Sequence, residues 1–264
     1  MSAATTADPA PMAIRVGTSG WDYHPWQAHF YAGVPRKAWL SHYAGRFETT
    51  EINASFYRFV RGATYARWRE ATPPAFRFAV KGHRAVTHER QLVDAADLIA
   101  KQRDAAAELG PKLAAVLWQL PRRVARDDRR LEGFLAALRI WPGPRHVMEF
   151  RHESWFRAEV AAQLAAHRVA VAVSDAGRWP RWDVATADLV YVRLHGRPHT
   201  YISAYGEDAL RAWAARARRW RDEGRDVYVY FDNTKEEAAP GDAERFRRLV
   251  DAPDAPAGVA AATA

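Results

Sequence analysis

The sequence predicts a single α/β domain with the TIM-type (β/α)8 barrel fold. Eight apolar runs rich in β-branched residues recur along the chain, and most of them are separated by segments with helical periodicity. The length of 264 residues matches the roughly 250 that such a barrel commonly needs. Because no shift in composition divides the chain, we expect one closed barrel rather than an open sheet with fewer strands.

Each predicted strand is a short apolar run bounded by turn residues. The eight strands cover residues 14–19, 49–54, 76–81, 113–119, 146–151, 169–175, 189–195 and 227–232. Seven helices are predicted at residues 36–43, 63–71, 94–109, 128–139, 158–167, 207–223 and 242–250. In the sixth of these, Leu210, Trp213 and Ala217 fall on one stripe with Trp220, which is typical of a helix face packed on a core.

Glycine and proline mark the ends of these elements. Gly110-Pro111 follows the third helix, Pro142-Gly143-Pro144 the fourth and Gly224 the sixth. The segment between the sixth and seventh strands is the exception, because Trp179-Pro180-Arg181-Trp182 interrupts any helix there. We therefore predict an irregular crossover at that point, a barrel domain over residues 14–250, and disordered tails at residues 1–13 and 251–264.

Composition narrows the classes of function. The chain has no cysteine, which excludes thiol nucleophiles, iron–sulfur clusters, disulfides and cysteine-based zinc sites, and it fits a cytoplasmic location. No signal peptide or apolar stretch of about 20 residues is present, so no membrane partner is predicted. The formal charge of +8 makes nucleic acid a candidate partner, although only five of the 39 basic residues are lysine and an arginine excess also accompanies GC-rich genomes.

Polar residues gather where the predicted strands end. Active sites of (β/α)8 barrels lie at this carboxyl-terminal end. Pairs such as Glu149 with Arg151 are two residues apart, so strand alternation places both members of a pair on one face. A buried ion-pair network with no chemical role would show the same pattern. The polar strand-end residues are Ser19, Glu51, Asn53, Lys81, Gln119, Glu149, Arg151, Asp175, Arg193, His195, Asp232 and Asn233.

Many of these residues lie in motifs that resemble the YecE-like family, catalogued as domain of unknown function 72 (DUF72). The motifs include Gly17-Thr18-Ser19-Gly20-Trp21, Thr50-Glu51-Ile52-Asn53, Glu149-Phe150-Arg151-His152, Tyr191-Val192-Arg193-Leu194-His195-Gly196 and Tyr230-Phe231-Asp232-Asn233. In order, the matching blocks span residues 14–250. The resemblance implies a TIM-type barrel related in fold to endonuclease-IV-like and xylose-isomerase-like barrels, and it assigns no reaction. Where the family often carries Asn-Asn, this chain has Asp232-Asn233, which adds a carboxylate.

The residue types at the barrel mouth favour acid–base chemistry on an anion. We expect Glu51 or Glu149 to act as a general base and His195 as a proton shuttle, with Lys81 and Arg193 clamping an anion and Asp175 completing the catalytic set. A structural ion pair between Lys81 and a glutamate is the alternative for that lysine. No cofactor is predicted. The acids with His195 or His88 could ligate a divalent metal, but the three cations at the mouth and the lack of ligand spacing disfavour one.

Loops beyond the strands supply the predicted ligand contacts. Barrels often bind phosphate after strands seven and eight, where this chain places Gly196, Arg197, Asp232, Asn233 and Lys235. Aromatic residues after the first strand and in the irregular crossover either form ligand walls or plug the barrel top; they are Trp21, Tyr23, Trp26, Trp179 and Trp182. The other predicted ligand contacts are Ser19, Trp21, Tyr23, Asn53, Tyr57, His88, Gln119, Arg151 and Arg193.

These observations predict an enzyme of the hydrolase, isomerase or lyase type acting on a small anionic or phosphorylated ligand. A nucleic-acid-binding protein, or a metal-dependent nuclease-like barrel, is the competing class, and a catalytically silent ligand sensor is a third. The sequence does not indicate an oligomeric state.

Overall fold

Eight parallel strands close into a barrel in chain order in the computed structural model, which describes residues 12–177 and 179–252. The first strand pairs with the eighth at Val16 and Val229, which completes the ring. This architecture confirms the predicted TIM-type fold. The predicted tails lie outside the described residues except for residues 12–13 and 251–252. The strands are β1 Ile14–Thr18, β2 Thr49–Ile52, β3 Arg77–Lys81, β4 Leu113–Gln119, β5 Arg145–Glu149, β6 Ala170–Asp175, β7 Leu189–Leu194 and β8 Asp226–Phe231.

Helices cover the outside of the barrel between most of the strands. They are α1 Trp39–Ala44, α2 Ala54–Tyr57, α3 Gly62–Glu70, α4 Ala96–Ala106, α5 Asp128–Ala137, α6 Ala158–Ala166, α7 Glu207–Asp222 and α8 Ala238–Asp251. α5 begins at a local signal, because the Asp127 carboxylate accepts the Arg130 backbone N–H at 2.9 Å. α7 buries Leu210, Trp213, Ala214 and Ala217, which confirms the predicted stripe.

Two helices differ from their predictions for identifiable reasons. α8 begins four residues before the predicted start, because Pro240 occupies its first turn, where the missing backbone N–H costs nothing. The short helix α2 begins at Ala54, which the prediction assigned to the second strand. In the crossover, residues 176–188 contain no helix among those described, as the Trp-Pro-Arg-Trp motif predicts.

Five strands end earlier than predicted, whereas β3, β4 and β6 end at the predicted residues Lys81, Gln119 and Asp175. β1, β7 and β8 stop one residue before Ser19, His195 and Asp232, and β5 stops at Glu149. Below these residues the barrel lumen is filled by a layer of apolar and aromatic side chains: Ala79, Ala115, Leu117, Val147, Ala170, Ala172, Leu189, Tyr191, Tyr228 and Tyr230. The polar layer therefore rests on a packed floor and can reach water only from the carboxyl-terminal mouth.

Candidate functional site

Strand alternation brings one polar side chain from each of the eight strands into the upper lumen. On each strand, the residue two positions before the polar one lies in or beside the apolar floor. Because side chains two positions apart point to the same face of a strand, the polar side chain also points into the lumen. This ring consists of Ser19, Glu51, Lys81, Gln119, Glu149, Ser174, Arg193 and Asp232. Asn53, Arg151 and His195 continue the same faces one step nearer the mouth.

Arg193 is the centre of the ring and contacts three carboxylates. Its Nε and Nη2 donate to the two oxygens of Glu51 at 3.0 and 2.7 Å, a bidentate pair. Nη1 donates to Glu149 Oε2 at 2.8 Å, and Nη2 donates to Asp232 Oδ2 at 3.0 Å. The Arg193 side chain is only 1% exposed. We call Arg193, Glu51, Glu149 and Asp232 the Arg193 network.

The network corrects the predicted clamp role of Arg193. Its guanidinium is buried and already neutralises carboxylates, so it is not free to hold an incoming anion. Glu149 is equally committed, because its Oε1 accepts the Arg151 Nε–H at 2.9 Å while Oε2 accepts from Arg193. Burial alone would raise the pKa of Glu149, but Arg193 and Arg151 outweigh it and hold that pKa well below its usual range. A carboxylate held so firmly in its ionised form is a poor general base near neutral pH.

Asp232 is the acid of the network that titrates near neutral pH. Burial is the largest influence on its pKa and, with the negative charge of Glu51, raises it to about 6 although Arg193 opposes the change. Its described contacts, from Arg193 and His195, both use Oδ2, and its side chain is about 10% exposed. Oδ1 therefore has no partner among the described residues. Of the acids at the mouth, Asp232 is the best suited to exchange protons with a ligand.

His195 lies beside this carboxylate as a neutral imidazole. Burial, followed by the positive charge of Arg193, lowers its pKa well below the usual value. Nε2 is 3.2 Å from Asp232 Oδ2 and 3.1 Å from Arg193 Nη1. Nδ1 is buried and has no hydrogen-bond partner among the described residues. The predicted proton-shuttle role remains a prediction, and the geometry places this ring in contact with the titrating acid.

Lys81 stands at the edge of the mouth. Its ammonium lies 4.4 Å from the centre of the Phe56 ring, and within the described part of the chain it makes no ion pair or hydrogen bond. The predicted alternative, a structural ion pair with a glutamate, is therefore not formed. Burial and then the charge of Arg193 lower the pKa of Lys81 to about 8, against the opposing influence of the three acids.

Three cations on the β3–β5 side of the mouth, Lys81, Arg123 and Arg151, lie close enough to His88 to affect its ionisation. Arg151 uses Nε to contact Glu149, which leaves Nη1 and Nη2 without partners among the described residues, and its guanidinium lies 4.0 Å from the Trp179 ring centre. Arg123 donates from Nη2 to the His88 carbonyl at 2.6 Å. Burial, followed by the charges of Lys81, Arg123 and Arg151, lowers the pKa of His88 to about 4. We call Lys81, Arg123 and Arg151 the anion seat.

Asp175 does not belong to this site. Ser174 occupies the lumen position of β6, so alternation turns Asp175 outward. There its Oδ1 accepts from Arg197 Nε at 2.6 Å and its Oδ2 accepts from the Tyr205 hydroxyl at 3.1 Å. The predicted catalytic role of Asp175 is thus corrected by the register of one strand, and the Ser174 hydroxyl, buried without a described partner, takes its place in the ring.

The predicted phosphate loop after β7 and β8 uses part of its donors within the protein. Nη1 and Nη2 of Arg197 and the exposed ammonium of Lys235 have no hydrogen-bond partner among the described residues. The Gly196 N–H donates to the Tyr205 hydroxyl at 3.0 Å, and Arg197 is paired with Asp175. Asn233 Nδ2 donates to the Ser203 carbonyl and to the buried Asp242 at 3.0 and 2.8 Å. The Gly196 N–H and the Asn233 side-chain amide are therefore not available to an anion, and phosphate binding by Arg197 and Lys235 remains a prediction.

The remaining predicted contacts divide between the mouth and a neighbouring cavity. The Ser19 carbonyl accepts from the Tyr23 hydroxyl at 2.5 Å and from Asn53 Nδ2 at 3.0 Å, forming a wall beside the Arg193 network. Behind this wall, Trp21, Tyr23 and Asn53 line a cavity of about 680 Å³ to which Lys81 does not contribute. Gln119 is buried and donates to the Leu120 carbonyl, whereas Tyr57 is 70% exposed.

Three further aromatic residues belong to the site: Tyr191 and Tyr201, which were not predicted, and Trp179, for which the sequence left a ligand wall and a structural plug open. The Tyr191 hydroxyl donates to Glu51 Oε2 at 2.7 Å from the layer below. The rings of Trp179 and Tyr201 lie 5.0 and 5.7 Å from the His195 ring and cover it. The alternation of β7 could have identified Tyr191, because it lies two residues before Arg193. Trp179 and Tyr201 come from irregular segments that carry no such periodic signal.

The described residues also bear on metals and membranes. Among residues 12–177 and 179–252, no group of three His, Asp or Glu side chains is arranged to hold a metal ion. The lumen carboxylates instead direct their oxygens at Arg193. None of the described helices combines the length and the apolarity that crossing a bilayer requires.

The fold and site define the class of protein: a (β/α)8 barrel with an ionisable site at the carboxyl-terminal ends of its strands. The chain belongs to the family described as "Protein of unknown function DUF72", whose model matches residues 15–263. It is 25% identical to the UPF0759 protein YunF of Bacillus subtilis over 90% of this chain and 95% of that protein. It is 28% identical to the UPF0759 protein YecE of Escherichia coli K12 over 54% of this chain and 50% of that protein.

Solved structures of the family share the fold. A DUF72 family protein of Thermotoga maritima has a TM-score of 0.80 and 26% identity, covering 90% of this chain and 99% of that one. A DUF72 family protein of Enterococcus faecalis has the same TM-score at 18% identity, covering 91% and 96% of the two chains.

Proposed function

We propose that this protein is an enzyme that binds a small anionic, phosphate-bearing substrate at the anion seat and moves protons through Asp232. The observation that carries the proposal is that the cations at the mouth fall into two groups, one paired with buried carboxylates and one with free hydrogen-bond donors in the described part of the chain. Arg193 neutralises the deepest carboxylates, while Arg151 and Lys81 keep donors without protein partners in the described structure. A network serving stability alone has no need of partly exposed cations beside an acid with a raised pKa.

The competing nucleic-acid function has less support. Several arginines on the outer helices are paired with neighbouring acids, as Arg126 is with Asp128 and Arg221 with Asp222. Such pairing reduces the positive field that a phosphate backbone would meet. Some exposed arginines, among them Arg58, Arg122 and Arg168, have no acidic partner in the described part of the chain. Lys81 also lacks one and lies at the mouth of the barrel, where a small ligand can reach it.

Sulfate is expected to bind the anion seat and stabilise the fold. A ligand at 100 times its Kd adds about 2.7 kcal/mol to the free energy of unfolding, which thermal shift detects readily. Arg151→Gln should weaken sulfate binding about tenfold or more, because a hydrogen bond to a charged group is worth about 1.5–3 kcal/mol. Arg126→Gln, which removes an exposed arginine paired with Asp128, is the matched control and should leave sulfate affinity unchanged. Equal affinities in the two variants would contradict the proposed seat.

The pH dependence of sulfate affinity separates Asp232 from Lys81, because sulfate itself keeps its charge throughout this range. Affinity should fall as pH rises through about 6, where Asp232 gains a negative charge, and again through about 8, where Lys81 loses its positive charge. Each step should be on the order of threefold to tenfold. Asp232→Asn should abolish the lower step and Lys81→Arg the upper one, as measured by calorimetric titration. A profile that is flat in the unmodified protein would contradict both assignments.

The proton-transfer role of Asp232 is tested with a substrate found by screening phosphorylated metabolites for thermal stabilisation and turnover. Asp232→Asn should lower kcat by about 10²–10⁴-fold, the usual contribution of general acid–base catalysis, while the substrate still binds. The folded state should survive, because an amide oxygen can still accept from Arg193. Undiminished kcat in this variant would remove Asp232 from the mechanism.

A further inference from the structure

Lys81 differs in its surroundings from the other four lysines of the chain. Lys37, Lys101 and Lys235 are exposed. Lys112 is buried, but its ammonium donates to the Arg69 and Thr72 carbonyls, both at 2.6 Å. Lys81 combines a half-buried position with the absence of any polar partner for its ammonium among the described residues. Such an amine receives little help in keeping its proton.

Two influences favour the neutral amine of Lys81: burial and the nearby charge of Arg193. The Phe56 ring, 4.4 Å from the ammonium, opposes them only weakly through a cation–π contact, and the carboxylates of the lumen are already paired with Arg193. A lysine is made nucleophilic when it is desolvated against apolar groups or placed near a second cation, and both conditions apply here. Burial followed by the Arg193 charge lowers the pKa of Lys81 to about 8, in agreement with this geometry.

The mouth also provides a place for the proton that Lys81 must lose. Three cations, Arg151, Arg193 and Lys81, face three carboxylates, Glu51, Glu149 and Asp232. If the proton of Lys81 moves to Asp232, one positive and one negative charge disappear together, and the net charge of the site is unchanged. The negative charge of Asp232 raises the pKa of Lys81, and the positive charge of Lys81 lowers the pKa of Asp232. Asp232 is therefore suited to accept and return this proton.

We propose that Lys81 is a nucleophile that condenses with the carbonyl carbon of an aldehyde or ketone carrying an anionic group. The inference rests on the proposed function, because the anionic group would be held by Arg151 and Arg123. The neutral Nζ attacks the carbonyl carbon, a C–N bond forms, the C=O π bond breaks and one proton moves from nitrogen to oxygen. The resulting carbinolamine loses its hydroxyl group and a second nitrogen-bound proton as one water, which leaves an imine. No oxidant or reductant is required.

Reductive trapping tests this inference. The full chain is incubated separately with glyoxylate, pyruvate and dihydroxyacetone phosphate, reduced with cyanoborohydride and mapped by peptide mass spectrometry. We expect Lys81 to carry at least about tenfold more adduct than Lys101, and we expect the yield to rise between pH 6 and pH 9. Lys101 is the matched control, since its ammonium also lies over a ring, 4.3 Å from the centre of Phe59, but on the exposed surface. Lys81→Arg should abolish the adduct and Lys101→Arg should not.

A second measurement is independent of the choice of carbonyl compound. Competitive acetylation with trace acetic anhydride reports the reactivity of each amine, and Lys81 should become reactive with a midpoint near pH 8. Labelling of Lys81 no stronger than that of Lys101 with all three carbonyl compounds, or an acetylation midpoint near that of Lys101, would overturn the inference.

The outcomes distinguish this inference from the proposed function. Sulfate binding without preferential trapping of Lys81 would refute the nucleophilic lysine and leave the anion seat standing. Trapping at Lys81 in a protein that does not bind sulfate, and whose adduct yield sulfate does not reduce, would support the nucleophile and refute the anion seat. If both hold, sulfate should suppress the adduct with dihydroxyacetone phosphate by competing for the seat.

Discussion

Replacing Arg193 with Met is expected to lower the free energy of unfolding by about 3–5 kcal/mol, the usual cost of removing one partner of a buried ion pair. The substitution keeps much of the side-chain volume but leaves Glu51 and Glu149, both 0% exposed, without the cation that neutralises them. Urea denaturation followed by circular dichroism measures the change. Arg126→Met is the matched control, because its partner Asp128 is exposed and such a pair is worth about 0–1 kcal/mol.

The pH dependence of this loss identifies its cause. Without Arg193, burial should raise the pKa of the two glutamates in the folded state above their unfolded values. Such groups stabilise the fold at low pH, and that stabilisation is lost as pH rises through the folded-state pKa. The deficit of Arg193→Met should therefore be smaller at pH 5 than at pH 8. A deficit below about 1 kcal/mol, or one that does not change with pH, would show that the network does not depend on Arg193 for neutralisation.

Gly17→Ala is expected to cost about 3 kcal/mol of stability, the upper end of typical overpacking. A Cβ at Gly17 would lie 1.9 Å from the Thr49 carbonyl oxygen and 2.8 Å from its carbon. These are backbone atoms of β2, paired in register with Gly17, so they cannot rotate away as a flexible side chain could. The two strands would have to separate directly below Ser19 and Glu51.

Gly133→Ala in α5 is the matched control, and it should have the opposite sign. No atom lies within 4 Å of a Cβ at Gly133, and alanine in a helix interior is favoured over glycine by about 0.5–1 kcal/mol. Thermal denaturation of both variants measures the difference. A stability loss at Gly17 of less than about 1 kcal/mol would mean that β1 and β2 can move apart without disturbing the barrel.

Structural networks and reactive sites are easily confused in a barrel lumen, and the contact pattern separates them here. Glu51 has all its described contacts with Tyr191 and Arg193, and these suffice to explain it as a structural counterion. Asp232 uses only Oδ2 for its described contacts, and the Lys81 ammonium has no polar partner among the described residues. The chemistry that we propose therefore depends on two side chains at the edge of the network, while the network positions Asp232 and sets the electrostatic field around both.

The amino-acid sequence by itself determined the eight strands, the helices that follow most of them, and the convergence of most acids and bases. These follow from local periodicity: apolar runs define the strands, and the period of two places Glu51, Glu149 and Arg193 on one face. The irregular crossover was equally predictable, since proline excludes a helix through its own backbone geometry.

Only the tertiary structure decided which groups are free to act. The register of β6 turns Asp175 outward and Ser174 inward. In the predicted phosphate loop, the Gly196 N–H donates to the Tyr205 hydroxyl and is not free to bind phosphate. Folding also pairs Arg193 with three carboxylates and places the Lys81 ammonium next to the Phe56 ring. The sequence shows which residues can ionise. Whether each of them is free to bind a ligand or react depends on its burial and its partners, and these are set by contacts between strands far apart in the chain.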